Sequence, residues 1–147
     1  MKILVTGGAG YVGTSLVPKL LKRGYEVTIF DNLMMGGNPL IPFFEYKNFT
    51  FIKGDIRNIS ELKEATKGQD IIIHLAALVG FPVCRMNPEL AKETNVQGTI
   101  NLIEACTKDQ IIFYGSTGSN YGTVKDVCTE ETPLNPLSLY GETKTEA

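Results

Sequence analysis

With 147 residues, 43% of them apolar and 20% charged, the chain has the size and composition of one globular domain with a real core. A net charge of −2 offers no electrostatic footprint for nucleic acid, and no apolar run approaches the roughly 20 residues of a membrane span. The opening "MKILVTGGAG" lacks the long apolar stretch of a signal peptide, and the three cysteines, Cys84, Cys106 and Cys128, are odd in number and widely spaced. A cytoplasmic address with neither disulfide framework nor metal centre is expected, and Cys106, within a helical pattern, reads as a packing residue.

Strand and helix signals alternate along the chain. A β-branched run at 2–6 leads into "TGGAGYVG" at 6–13, followed by a helical pattern over 11–23. There Val12, Leu16 and Leu20 form the apolar stripe, Lys22 and Arg23 fill the last turn and Gly24 stops it. Pro18 lies inside this helix, where a kink is expected. A second strand spans 25–30.

The segment 32–48 is too long for an ordinary turn between strands. Its Gly36-Gly37 pair suggests a mobile flap, while Phe43, Phe44 and Tyr46 read as packing residues. A third strand covers 49–54. Asn58 then caps a helix over 58–67 with Glu61 three residues on, and Gly68 closes it. A fourth strand spans 70–76, and its lone histidine, His74, reads as a packing or hydrogen-bonding residue. Asn87 and Pro88 open a long helix over 88–106 with Val96, Ile100 and Ile103 on one face. A fifth strand covers 110–116. For the closing helix, Asn135 with Pro136 competes with Ser138 as the start.

The five strands are nearly continuous in apolar residues, as in strands covered on both faces. Repeated strand–helix–strand units require right-handed parallel crossovers. The predicted fold is therefore α/β, a Rossmann-type doubly wound parallel sheet with helices on both faces.

The glycine motif admits two spellings, Gly8-Gly10-Gly13 or Gly7-Gly10-Gly13. Either way one glycine permits a tight turn, another lets the backbone approach a pyrophosphate, and Gly13 lets the helix lie close to the sheet. Tyr11 and Val12, which open the helix, are expected beside the same phosphates. Asp31 ends the second strand 21 residues after Gly10, near the spacing of about 20 at which a carboxylate reaches the adenosine ribose. Its followers, Asn32 and Leu33, bring no arginine for a 2′-phosphate, so NAD is favoured over NADP. A turn-initiating aspartate is the plainer alternative.

The glycine spelling at Gly7, Gly10 and Gly13, "DN" at 31–32, "GDIRN" at 54–58, "HLAA" at 74–77, "NVQGTINLIEA" at 95–105, "STGSNYG" at 116–122 and "YGETK" at 140–144 occur in one order. Together they make the chain resemble the extended short-chain dehydrogenases/reductases, and within them the NAD-dependent nucleotide-sugar epimerase/dehydratase group. The resemblance runs from end to end. It implies that Asp31 and Asn32 contact the ribose, that Asp55 and Ile56 flank the adenine, and that Leu75, Ala76 and Ala77 line the cofactor. It further implies that Asn95 stands at the active-site end of its helix, and that Thr117, Tyr140 and Lys144 form the catalytic set, the last two also touching the cofactor.

Residue chemistry agrees with that set. Positions four apart share a helical face, so Lys144 stands beside Tyr140. A tyrosine ordinarily loses its proton near pH 10, and a neighbouring ammonium and a positive nicotinamide ring both favour phenolate. Thr117 then holds the substrate oxygen against the tyrosine.

The resemblance also implies a nucleotide-sugar substrate, admits a homodimer in the full-length protein, and implies a C-terminal substrate part about as long as this chain. Residues 1–147 are thus expected to be the NAD-binding domain of a longer polypeptide, ending inside the Tyr-x-x-x-Lys helix. Dehydratases of this group carry an aspartate and a glutamate directly after the catalytic threonine. Gly118 and Ser119 stand there instead, which favours 4-epimerisation. A sugar or small-molecule dehydrogenase or reductase, and a non-enzymatic NAD-sensing module, are the alternatives; a sensor would not need Thr117, Tyr140 and Lys144.

Overall fold

The computed structural model describes residues 1–125 and 127–147. Five parallel strands form one sheet in the order β3-β2-β1-β4-β5: β1 (Lys2–Thr6), β2 (Glu26–Asp31), β3 (Phe49–Lys53), β4 (Ile71–His74) and β5 (Ile111–Tyr114). β1 coincides with the run read in the sequence, and the other four are shorter or shifted slightly. The order reverses between β2-β1 and β4, and this switch point opens a crevice at the carboxyl ends of β1 and β4.

The alternation of side chains splits the core in two. One face carries Ile3, Val5, Val27 and Ile29 against α1 (Tyr11–Lys22) and a 3-10 helix at Asn38–Glu45. The other carries Leu4, Phe30 and Ile72 against α2 (Ile59–Thr66) and α5 (Gly98–Ala105). Burial on both faces explains the near-continuous apolar runs of β1, β2 and β4. It does not hold for β5, an edge strand whose Ile111, Ile112 and Phe113 are exposed.

Two apolar stripes differ from the sequence expectation, each for a local reason. In α1 the buried residues are Gly13, Val17, Leu20 and Leu21, and Val12 is exposed. The close contact of Gly13 with the backbone of Gly8 fixes which side of the helix faces the sheet. The helix runs on through Pro18. The long helix expected over 88–106 is three pieces: α4 (Pro88–Lys92), a π-helical turn at Glu93–Gln97, and α5. A π turn takes up an extra residue and rotates the helix beyond it. Asn95, Gly98, Thr99 and Leu102 therefore face inward, while Ile100 and Ile103 are exposed.

Within the segment 32–48, the 3-10 helix at Asn38–Glu45 follows the Gly36-Gly37 pair. Leu40 and Phe43 bury the 3-10 helix against the first core cluster, and Phe43 and Phe44 both meet Phe49 edge-to-face. Asn58 caps α2 by accepting from the backbone N–H groups of Ser60 and Glu61. A short α3 (Phe81–Met86) precedes α4. Asn87 makes no side-chain cap there, because its amide donates back to the Val83 carbonyl. The final helix, α6 (Leu139–Glu146), starts at Ser138 rather than Asn135: the Ser138 hydroxyl accepts from Gly141 N at 3.1 Å.

Candidate active site

The turn after β1 is built on Gly7. Its φ of +69° lies in the left-handed region, and a Cβ there would stand 2.5 Å from the backbone nitrogen of Ala76. Gly10 N donates to Gly7 O at 3.1 Å and Thr14 N to Gly10 O at 2.9 Å, so the turn runs from Gly7 to Gly10 and hands over directly to α1. Of the two spellings, Gly7-Gly10-Gly13 describes this geometry. The first turn of α1 carries no acidic residue, and Tyr11 and Val12 are exposed on it. Its free N–H groups form a positive helix end open to an anion.

Asp31 closes this loop from the side. Its carboxylate accepts from Ala9 N at 3.0 Å and from Leu33 N at 2.8 Å. The turn-initiating reading of Asp31 is thus seen directly, and the same carboxylate stands against the glycine loop with further lone pairs free to accept. The turn is tight enough to place Leu33 at a φ of 62°. Next to it, Asn32 donates to Asp55 at 3.1 Å. Asp55 is held chiefly by the guanidinium of Arg57, which keeps its carboxyl down at about 2. Arg57 reaches on to Glu93 at 3.3 Å. The side chain of Ile56 is buried in the second core cluster, leaving only its backbone to the surface of the site.

On the other side of the switch point, Leu75 N and Ala76 N donate to the backbone oxygen and hydroxyl of Thr6. These bonds hold the segment through Ala77 beside the glycine turn. One residue later, the amide of Asn95 takes both backbone groups of Leu78, accepting from its N–H at 2.7 Å and donating to its carbonyl at 3.1 Å. Asn95 is therefore fully engaged within the protein, and the π turn is what aims it.

The segment after β5 brings in the remaining side chains. Thr117 caps the 3-10 turn Gly118–Asn120, its hydroxyl oxygen accepting from Ser119 N at 3.2 Å; its own proton is not used in that bond. Helix α6 packs on this turn. A Cβ at Gly141 would lie 2.7 Å from the Ser119 carbonyl, so glycine after Tyr140 lets the helix seat there. Tyr140 is half-buried among Leu78, Cys84, Ala91, Leu90 and Leu139.

Lys144, one helical turn on, is 4% exposed, and its ammonium lies 3.8 Å from the centroid of the Tyr114 ring. Burial lowers its pKa to about 8. His74 hydrogen-bonds Thr6 at 2.6 Å and Thr99 at 3.1 Å. Burial and then the charge of Lys144 hold the imidazole at about 3, so it is neutral. Burial and then Tyr140 push the Tyr114 phenol up to about 12. Among the described residues no group of three or more His, Cys, Asp or Glu side chains is arranged to hold a metal.

Sequence reasoning missed Tyr114, Thr143, Thr6, Thr99 and Gly141. The Tyr-Gly spelling at 140–141 was an available signal for the last. The others are short polar or aromatic residues whose partners lie far away in sequence.

Comparison with known proteins places this geometry among relatives. The family model described as "NAD dependent epimerase/dehydratase family" matches residues 3–147. The UDP-glucose 4-epimerase of Lactobacillus helveticus is 34% identical over 98% of this chain and 44% of its own length. The crystal structure of Thermus thermophilus UDP-glucose 4-epimerase in complex with NAD has a TM-score of 0.88 at 34% identity, over 99% of this chain and 48% of that one. The DesIV dTDP-glucose 4,6-dehydratase of Streptomyces venezuelae, with NAD and TYD bound, gives 0.92 at 33% identity, over 99% and 49%. The chain spans about half the length of these relatives.

Proposed function

Because the chain belongs to the NAD-dependent epimerase/dehydratase family, we propose that it is the NAD-binding part of a nucleotide-sugar 4-epimerase acting on a UDP-hexose. The fit of the cofactor rests on the glycine turn. Side chains at Gly7 and Gly13 would collide with the backbone of Ala76 and of Gly8, so this tight turn needs glycine at both places, and the open end of α1 with the carboxylate of Asp31 beside it suits a pyrophosphate followed by a ribose. Gly7, Gly10, Tyr11, Val12 and Gly13 take the phosphates, Asp31 and Asn32 the ribose. The backbone of Asp55 and Ile56 would flank the adenine, and Leu75, Ala76 and Ala77 would line the cofactor.

When bound, NAD supplies a hydride acceptor that returns the hydride later in the cycle. The chain's own residues move the proton and hold the sugar. Thr117 hydrogen-bonds the sugar oxygen, Tyr140 takes its proton and gives it back, and the Lys144 ammonium favours the phenolate form of Tyr140. Asn95 fixes the Leu78 segment against α6.

The observation that carries epimerisation over dehydration is the turn after Thr117. DesIV and the epimerases match the chain about equally well, so overall likeness does not choose between them. Gly118 and Ser119 follow Thr117, with no carboxylate to eliminate water. The test is to supply the full-length protein with UDP-glucose and UDP-galactose in turn. Interconversion without net NADH supports the proposal. Stoichiometric NADH would assign a dehydrogenase, and binding of NAD without turnover a sensor. A cytoplasmic address and a homodimer belong to the same proposal, the second supported by the exposed Ile100 and Ile103 on one face of α5 and tested by sedimentation of the full-length protein.

A further inference from the structure

The parallel register sets Thr6, His74 and Tyr114 side by side across β1, β4 and β5. Their side chains emerge on the α2/α5 face at the carboxyl end of the sheet, where Tyr114 of β5 meets Lys144 of α6. At the end of this row stands Lys144, a cation with almost no solvent access and no carboxylate partner among the described residues. An ammonium in that position needs compensation. His74 gives it none, being neutral and hydrogen-bonded to two threonines. Helix α3 contributes the buried Cys84 thiol, while Glu89 and Lys92 of α4 and Glu93 of the π turn are exposed to solvent. What faces the ammonium is the Tyr114 ring, 3.8 Å from Nζ to centroid, well inside the range in which a ring face attracts a cation. The same tyrosine also grips the backbone of Lys144, its hydroxyl donating to the Lys144 carbonyl at 3.3 Å.

We propose that Tyr114 is a positioning residue: its ring face holds the Lys144 ammonium in place and in its charged form, so that Lys144 can act on Tyr140. The inference rests on the reading of Lys144 as the partner of Tyr140. It also gives the segment before Thr117 a role besides carrying the threonine. The hydroxyl of Tyr114 fixes the backbone of α6 and its ring fixes the charge, so one residue sets both coordinates of the lysine.

The test uses the full-length protein with phenylalanine at 114, then with 4-fluoro-, 3,5-difluoro- and 3,4,5-trifluorophenylalanine. This series weakens the ring's negative face while keeping its shape. Lysines carry 13C at Cε, and the Lys144 resonance, assigned through Lys144→Gln, is titrated by NMR without cofactor. The expected result is a Lys144 pKa within about 0.3 units of the parent in Tyr114→Phe, falling by about one unit across the fluorinated series. The alkaline limb of kcat should follow it downward while KM holds. A flat titration across the series would overturn the proposal, as would a full shift already at Tyr114→Phe, which would assign the effect to the hydroxyl. The titration does not depend on turnover. If it moves in a protein that turns nothing over, the functional reading fails and the ring's role stands; if it stays flat in an active enzyme, the reverse holds.

Discussion

The side-chain amide of Asn95 donates to the hydroxyl of Thr143 at 3.0 Å, and the Thr143 hydroxyl in turn donates to the carbonyl of Tyr140 at 3.1 Å. Two short polar side chains thus tie the π turn to the backbone of the helix that carries Tyr140 and Lys144. The same amide holds Leu78 through both backbone groups, so Asn95 joins three segments from different parts of the chain.

Replacing Asn95 by alanine takes one bond from the Thr143 hydroxyl, which keeps the Tyr140 carbonyl, and one from the Leu78 carbonyl, which keeps the Cys84 thiol, and it leaves the buried N–H of Leu78 unpaired. That orphan costs about 1–3 kcal/mol and each of the two other lost bonds about 1 kcal/mol, so Asn95→Ala should lower the denaturation midpoint strongly. Thr143→Val, which breaks only the link to α6, should cost about 1 kcal/mol. Equal destabilisation by the two variants in urea titrations would show that the Leu78 contacts carry little.

Gly141→Ala should separate binding from chemistry. The added methyl group meets the Ser119 carbonyl and pushes α6 off the Thr117 turn. A misplacement of about 1 Å can lower a rate on the order of a hundredfold. We expect kcat of the full-length protein to fall by about that factor with NAD affinity kept. A wild-type kcat would mean that the turn yields at no cost to the catalytic geometry.

Tyr140→Phe in the full-length protein should abolish turnover and leave NAD binding largely intact, because only the proton-transferring oxygen is removed. The 147-residue chain by itself should bind some NAD and turn nothing over. Near-normal turnover by Tyr140→Phe would remove Tyr140 from the acid–base role.

Asp31→Ala should weaken NAD binding and improve the relative tolerance of NADP. The carboxylate also organises the loop through Ala9 and Leu33, so part of the loss will be structural. The diagnostic quantity is the NAD/NADP ratio from calorimetry, and a ratio unchanged by the substitution would count against a ribose contact.

His74 makes the fold sensitive to acid. Its pKa is about 3 in the fold and about 6.5 in an unfolded chain. Between those values the unfolded state binds the extra proton, so stability falls as pH is lowered through that window, by up to about 1.4 kcal/mol per unit. Asp55 acts in the same direction but only between about 3.8 and about 2. Denaturation measured from pH 7 to pH 5 isolates the histidine, and His74→Gln should flatten the slope there. An unchanged slope would assign the acid sensitivity to other groups.

Much of this protein was legible in the order of its residues. The βαβ alternation, the glycine turn with its following helix, and the spacing from Gly10 to Asp31 are local patterns, set by backbone sterics, helix periodicity and strand length. They sufficed for the parallel sheet and the family resemblance, while the strand order that opens the crevice came from the fold. Between Gly7 and Gly8 as the first glycine of the motif, only the backbone decided, because the choice depends on which of them must pass beside Ala76.

The tertiary structure decided what depends on contacts distant in sequence. The π turn at 93–97 rotates α5 by one residue and turns Ile100 and Ile103 outward, since burying the amide of Asn95 against Leu78 outweighs keeping a regular helix. The start of α6 at Ser138 is set by which hydroxyl reaches a free N–H. The placing of Lys144 over Tyr114 spans 30 residues, and of Thr6 against His74 spans 68. No periodicity records such pairs: they exist because strand register and helix packing bring side chains to one place, and only the folded chain has that register.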